Sequence, residues 1–176
     1  MTFGDYQLPN AATQSGDLDI NVFQHQPFLT FYRKHHPTPK LYVVGKTFLF
    51  PMGLYAKSIR YLRQLPDGAT VAIPNDPTNE TRALKLLAQA KWIELAKGEV
   101  LLTTDSIVRN AKHLKILTMD AASIPRTLQD VDVAAINTTY ALPAGLNPKH
   151  DALLVERPDS AYANIIVSRY PLSHPQ

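Results

Sequence analysis

Proline interrupts this chain fourteen times in 176 residues, and each proline removes a backbone donor and fixes φ at about −65°. The spread of these prolines argues against long helices and for many short elements joined by shaped loops. Two prolines bracket the clearest local signal. In Val71-Ala72-Ile73-Pro74-Asn75-Asp76-Pro77-Thr78-Asn79-Glu80-Thr81-Arg82 an apolar run gives way to an Asp–Pro pair. That is the pattern of a helix N-cap followed by proline at the first helical position. Ala83, Leu84, Leu86, Leu87, Ala90 and Ile93 then supply the apolar face of the helix it opens.

The remaining segments read as alternating strands and helices. Leu8 to Gln14 predicts a short helical turn stopped by Gly16, and Asp19 to Phe23 a short strand. Pro27 to His35 places Phe28, Phe31 and Tyr32 at three-and-four spacing, a helix with an aromatic face. Leu41 to Val44, Thr47 to Phe50, Val71 to Ile73, Val100 to Leu102 and Leu114 to Leu117 read as strands, with Pro66-Asp67-Gly68 a turn. Short helices are expected around Ser106 to Arg109 and over Pro125 to Asp130. Val131 to Ile136 is an apolar run broken only by Asp132 and leading, with Thr138 as cap, into a helix over Thr139 to Ala144. Asn164 to Val167 closes the series. This order implies an α/β fold with a parallel or mixed sheet flanked by helices, in which ligands sit at the carboxyl ends of strands beside helix N-termini.

Composition narrows the class. Apolar residues make up 45% and charged residues 19%, which is enough for a packed core, and a chain of this length buries roughly 70% of its unfolded surface. No apolar run reaches the roughly 18 residues a membrane helix needs. The absence of cysteine excludes disulfides, thiol chemistry and a lipid-accepting thiol in this segment. Met1-Thr2-Phe3-Gly4-Asp5 has neither a basic nor an apolar leader pattern. The net charge of +3 is scattered, and its densest cluster, Arg33-Lys34-His35-His36, reads as a solvated helix end. No nucleic-acid partner is expected.

Few residues stand out for chemistry. Arg82 lies one to two turns into the proline-braced helix, where a guanidinium fork can grip a carboxylate; spacing alone also allows, and favours, pairing with Glu80 or solvent. Asn137, at the end of an apolar run, can accept from an ammonium and donate to a carboxylate, or simply start a helix. Asn164 is a polar side chain in an apolar strand, satisfied by ligand or by backbone. His25 is flanked by aromatics in Phe23-Gln24-His25-Gln26-Pro27-Phe28. The six histidines lack metal-ligand spacing, so no metal or cofactor is expected. No Gly-rich phosphate loop or nucleophile elbow occurs, so nothing argues for an enzyme.

Taken together, these segments resemble the NlpA-type lipoprotein family, the methionine-binding receptors of bacterial ABC importers. The resemblance runs from Phe3 to Arg169. It is carried by Asp5-Tyr6-Gln7-Leu8-Pro9-Asn10, Phe23-Gln24-His25, Pro51-Met52-Gly53-Leu54-Tyr55, Leu65-Pro66-Asp67-Gly68, the Val71-to-Leu84 junction, Ile124-Pro125-Arg126-Thr127-Leu128, Ala135-Ile136-Asn137-Thr138-Thr139-Tyr140-Ala141 and Tyr162-Ala163-Asn164-Ile165-Ile166-Val167. It implies a type II periplasmic-binding-protein fold, two α/β lobes joined by a hinge with the ligand in the cleft. Residues 1–50 would form part of lobe 1, 51–140 lobe 2 with the hinge crossings, and 141–176 the return to lobe 1. By the same resemblance Arg82 would hold the ligand carboxylate, Asn137 and Asn164 its polar end, and Tyr6, Phe23, His25 and Phe28 its side chain. The implied partners are methionine or a related small amino acid and the membrane subunits of the importer. The implied location is the periplasm or cell envelope.

Two departures from the family pattern carry consequences. The family has a further strand–helix unit before the point matching Thr2 and a helix after the point matching Arg169. Its signal peptide and lipidated cysteine also have no counterpart here. An incomplete first-lobe sheet leaves backbone groups unpaired, so marginal stability or a homo-oligomer through exposed sheet edges is expected. The alternative to a working receptor is a truncated paralogue that folds or oligomerises and binds nothing. An effector domain of a transcription regulator would share the fold but calls for a helix-turn-helix segment, which this sequence does not contain.

Overall fold

The computed structural model describes residues 3–158 and 160–171. In chain order the elements are α1 (Leu8–Ser15), β1 (Ile20–Asn21), α2 (Gln26–His35), β2 (Tyr42–Leu49), β3 (Met52–Tyr55), β4 (Thr70–Pro74), α3 (Pro77–Gln89) and β5 (Ile93–Leu95). They continue with β6 (Ile107–Asn110), β7 (Lys115–Met119), α4 (Ile124–Thr127), β8 (Val133–Asn137), α5 (Thr138–Ala141), β9 (Leu154–Val155) and β10 (Ala163–Ser168). The described residues fall into two units, one within Met1–Phe50 and Pro158–Gln176, the other Pro51–Arg157.

The first unit is an antiparallel sheet in the order β1-β10-β2 with two helices. Its apolar core is small: Leu29, Tyr32, Leu41, Ile165 and Val167. Polar packing supplements it. Asn10, Thr13, Asn21 and Gln24 are all buried and close a ladder of amides. Gln24 Nε2 donates to Asn10 Oδ1 (2.6 Å) and Asn21 Oδ1 (2.9 Å), and Asn21 Nδ2 donates to Thr13 Oγ1 at 2.8 Å. Satisfied networks of this kind specify one packing arrangement, because every alternative strands a buried amide. This ladder ties α1 to the segment that enters α2. Gly16, at φ 94°, ends α1 in the left-handed conformation that glycine adopts without strain.

The second unit is a mixed sheet in the order β7-β4-β8-β3-β9. Strand β4 runs parallel to β7 and β8, and β3 runs antiparallel to β8 and β9. Successive residues of each central strand feed opposite faces. Val71, Ile73, Val133 and Ala135 pack with Ala83, Leu84, Leu86 and Leu87 of α3, whereas Ala72, Ala134 and Ile136 pack with Ile124, Leu128 and Ala141 beyond the other face. Burial on both faces is why these strands read as unbroken apolar runs rather than alternating ones. A separate β5–β6 hairpin follows α3.

Several expectations are corrected. Ile93 does not extend the apolar face of α3: Lys91 takes φ 62°, which ends the helix, and Ile93 opens β5. Val100 to Leu102 forms no strand. Val100 is 87% exposed, and only Leu102 is held, its N–H donating to Thr81 Oγ1 at 2.8 Å. The helix expected around Ser106 to Arg109 is a 3-10 turn over Thr104–Ser106 followed by β6, since Ile107 and Val108 are β-branched and pair with β5 more readily than they wind. The two strands expected over 41–44 and 47–50 are one, β2. The helix after β8 starts at Thr138 with Asn137 as N-cap residue, and the Thr138 hydroxyl bonds Pro51 O instead of capping. The chain leaves the second unit after Arg157 rather than at 141, because β9 pairs with β3.

Tyr55 shows how tightly the second unit is filled. Its ring is 1% exposed, and a Cβ built on Gly53 would lie 2.9–3.0 Å from its edge atoms. Burial, with Asp151 adding repulsion, pushes its phenol pKa up to about 12. Gly53→Ala is therefore expected to destabilise the chain by about 1–3 kcal/mol, the usual cost of overpacking, measured as a lower urea midpoint.

Candidate ligand-binding site

Each unit gathers part of the predicted residue set. In the second unit, parallel β4 and β8 end side by side, and each runs straight into a helix, α3 and α5. Asp76 caps α3, its Oδ1 accepting from Asn79 N at 3.0 Å. Both Asp76 oxygens also accept from Asn79 Nδ2, at 3.1 and 3.0 Å. A carboxylate only accepts, so the amide of Asn79 must turn its nitrogen to Asp76 and its oxygen away. That oxygen accepts from Asn137 Nδ2 at 2.9 Å and lies 3.5 Å from Arg82 Nη1. The orientation of Asn137 follows in turn: its nitrogen faces Asn79 and its Oδ1 is left as the presented atom. Asn137 is only 6% exposed, yet this Oδ1 has no hydrogen-bond partner. A buried acceptor left unmade costs about 1–3 kcal/mol, which is the signature of a group waiting for a donor.

Arg82 is 4% exposed. Its Nε donates to both oxygens of Glu156, at 3.0 and 2.8 Å, and one Nη pairs with Glu156 Oε1. The sequence reading offered Glu80 as the mundane partner; Glu80 instead accepts from Thr104 N at 3.2 Å. Burial, reinforced by Asp76 and Asp105, holds the Glu80 carboxyl above its ordinary pKa.

In the first unit the aromatic residues converge. Tyr6 lies 5.9 Å from Phe23 and 6.1 Å from Phe28, ring to ring, and Phe23 and Phe28 meet edge to face at 5.8 Å. His25 joins them edge-on to Phe28 at 6.2 Å and to Tyr162 at 5.2 Å. It is also the N-cap of α2, its Nδ1 accepting from Phe28 N at 3.2 Å, so a neutral His25 carries its proton on Nε2. Asn164 is buried beside it: the two residues form a β-bridge, and Ile165 N donates to Gln24 O at 2.8 Å. Phe31 packs instead on His35, ring centroids 4.4 Å apart and planes tilted by 40°.

Three participants escaped the sequence reading. Glu156 lies 74 residues from Arg82 in an irregular segment, and nothing local announces it. Asn79 carried a signal, three residues after an N-capping Asp, but a helix-start amide is common. Tyr162 lies two residues before Asn164 and reads as ordinary core. Among the described residues no group of three potential metal ligands occurs, and no helix is long and apolar enough to cross a membrane.

Comparison with known proteins gives this arrangement its context. The family model of the NlpA lipoprotein matches residues 1–173. Lipoprotein 28 of Escherichia coli K12 is 50% identical over 170 residues, covering 95% of this chain and 62% of that protein. A D-methionine-binding lipoprotein MetQ of Salmonella typhi is 48% identical over 172 residues, covering 96% and 63%. A nutrient binding protein from Burkholderia cenocepacia, solved bound to methionine, superposes with a TM-score of 0.92 at 47% identity, over 96% of this chain and 71% of that one. The fold is thus that of the periplasmic substrate-binding proteins, and the chain spans less than two thirds of the length of these curated relatives.

The Arg82–Glu156 pair yields a stability prediction. Arg82→Ala leaves a charged Glu156 buried alone and is expected to lower the unfolding free energy by about 3–5 kcal/mol. Arg82→Ala combined with Glu156→Gln should recover part of that loss, and chemical denaturation of both variants measures it.

Proposed function

We propose, since the chain belongs to the NlpA lipoprotein family, that it acts as the solute-binding component of an ABC importer in the cell envelope, with free methionine as its ligand, and not as an enzyme. The observation that carries the reading is the buried, unpartnered Oδ1 of Asn137, joined through Asn79 to the guanidinium of Arg82. An acceptor and a cation so linked suit the two ends of an amino-acid zwitterion: Asn137 takes the ammonium and Arg82 the carboxylate. The aromatic group of Tyr6, Phe23, His25 and Phe28, with Asn164 beside it, supplies the surface a thioether prefers, since sulfur packs well against aromatic edges. Methionine in the names of relatives supports the side-chain assignment, and both enantiomers are ligands to be tried.

The test is calorimetry with methionine. Wild type should bind, and Asn137→Ala should bind more weakly by about 1.5–3 kcal/mol, the value of a hydrogen bond to a charged group. Arg82→Ala should weaken binding by roughly 2–5 kcal/mol. Unchanged affinity in both variants would refute the assignment. A thermal-shift screen separates a receptor from a folded chain that binds nothing: ligand at a hundred times its dissociation constant should add about 2.7 kcal/mol of stability, and the absence of any shift across the free amino acids favours the second.

We infer further that the first unit self-associates through β1. Among the described residues that strand pairs with β10 alone, and Ile20 on it and Val22 just after it are 53% and 45% exposed. An open apolar edge recruits another strand. Light scattering that finds a monomer at every concentration would dispose of this inference.

A further inference from the structure

We propose that Glu156 selects the net charge of the ligand. By neutralising Arg82 it makes the half-site of the second unit one that takes a net-neutral zwitterion and turns away a carboxylate that brings no ammonium. The inference rests on the amino-acid reading above and deepens it.

The argument is one of charge balance in a buried place. Arg82 and Glu156 are 4% and 9% exposed and share a two-pronged contact. Their charges sum to zero. The nearby Asp76 carboxylate is committed elsewhere, to Asn79 N, Asn79 Nδ2 and Thr78 Oγ1 at the N-terminus of α3, where the helix dipole balances it. A guanidinium buried alone would take its anion from any carboxylic acid. A guanidinium already paired gains much less, and an added carboxylate leaves one negative charge uncompensated in a poorly hydrated site. An ammonium on the same ligand removes that excess.

The polarity of the amide chain points the same way. Asp76 forces the orientation of Asn79, Asn79 forces that of Asn137, and the atom finally presented is an acceptor. Had Asn137 been turned over, its Nδ2 would face the ligand and favour a second anion. Glu156 is thus a positioning and selecting residue. It holds Nε and one Nη of Arg82, and it sets the charge that the ligand must match.

Calorimetry with three ligands of one side chain tests this: methionine (net zero), 4-(methylthio)butanoate (net −1) and methioninol (net +1). Wild type should prefer methionine to 4-(methylthio)butanoate by at least about tenfold, since a site built around a polar partner rejects the analogue lacking it. In Glu156→Gln that preference should fall by about tenfold or more, because the site becomes net positive, whereas Glu156→Asp should hold it within about threefold of wild type. A preference that Glu156→Gln leaves unchanged, or that Glu156→Asp loses to the same extent, overturns the proposal. If Glu156→Gln shows no native melting transition, Arg82→Gln/Glu156→Gln replaces it. That pair again sums to zero, so affinity should drop while the order of ligands is kept, and a swing toward the anion overturns the proposal. Wild type that fails to bind methionine at all defeats the amino-acid reading first and this inference with it, a result distinct from normal methionine binding with no charge preference.

Discussion

The bond between Asp76 and Asn79 orders the second unit's chemistry. A capping carboxylate satisfies the first amides of α3 and, with the same two oxygens, dictates which way the Asn79 amide turns. Everything after that is forced by donor and acceptor identity. Asn79 Oδ1 must receive the nitrogen of Asn137 and approaches Arg82, so three side chains from two strand–helix junctions share one polarity. A helix cap is usually a stability device worth about 1 kcal/mol. Here it also decides which atom of the buried Asn137 is left without a partner.

The sheet makes that arrangement rigid. Because β4 and β8 are adjacent and parallel, their carboxyl ends present two helix starts at once, as ligand sites in open α/β sheets generally require. Both faces of these strands are packed, α3 on one side and α4 with α5 on the other, so neither junction moves without disturbing a dense core. The first unit achieves order differently. Its apolar core is small, and four buried polar side chains in a closed amide ladder set where the His25 segment lies. His25 then does two jobs, capping α2 and presenting an imidazole whose tautomer the cap decides.

Much of this was legible in the residues. The strand before Asp76, the proline-started helix, the glycine stop of α1 and the apolar run into Asn137 are local signals, and each appears where the pattern puts it, within a residue or two. The misreadings share a cause. Val100 to Leu102, Ser106 to Arg109 and Ile93 are short apolar or mixed stretches, and their conformation depends on a partner rather than on themselves: β5 claims β6, and a single left-handed residue at Lys91 decides where α3 ends.

The sequence by itself determined the alternation of short elements, the junction that opens α3 and the identity of the residues around it, because caps, proline positions and apolar periods act over a few residues. Only the tertiary structure decided the partner of Arg82, the direction in which Asn137 points and the ladder beneath His25. Those depend on which distant groups arrive at hydrogen-bonding distance, and Glu156, 74 residues from Arg82, becomes its neighbour only after the sheet has formed.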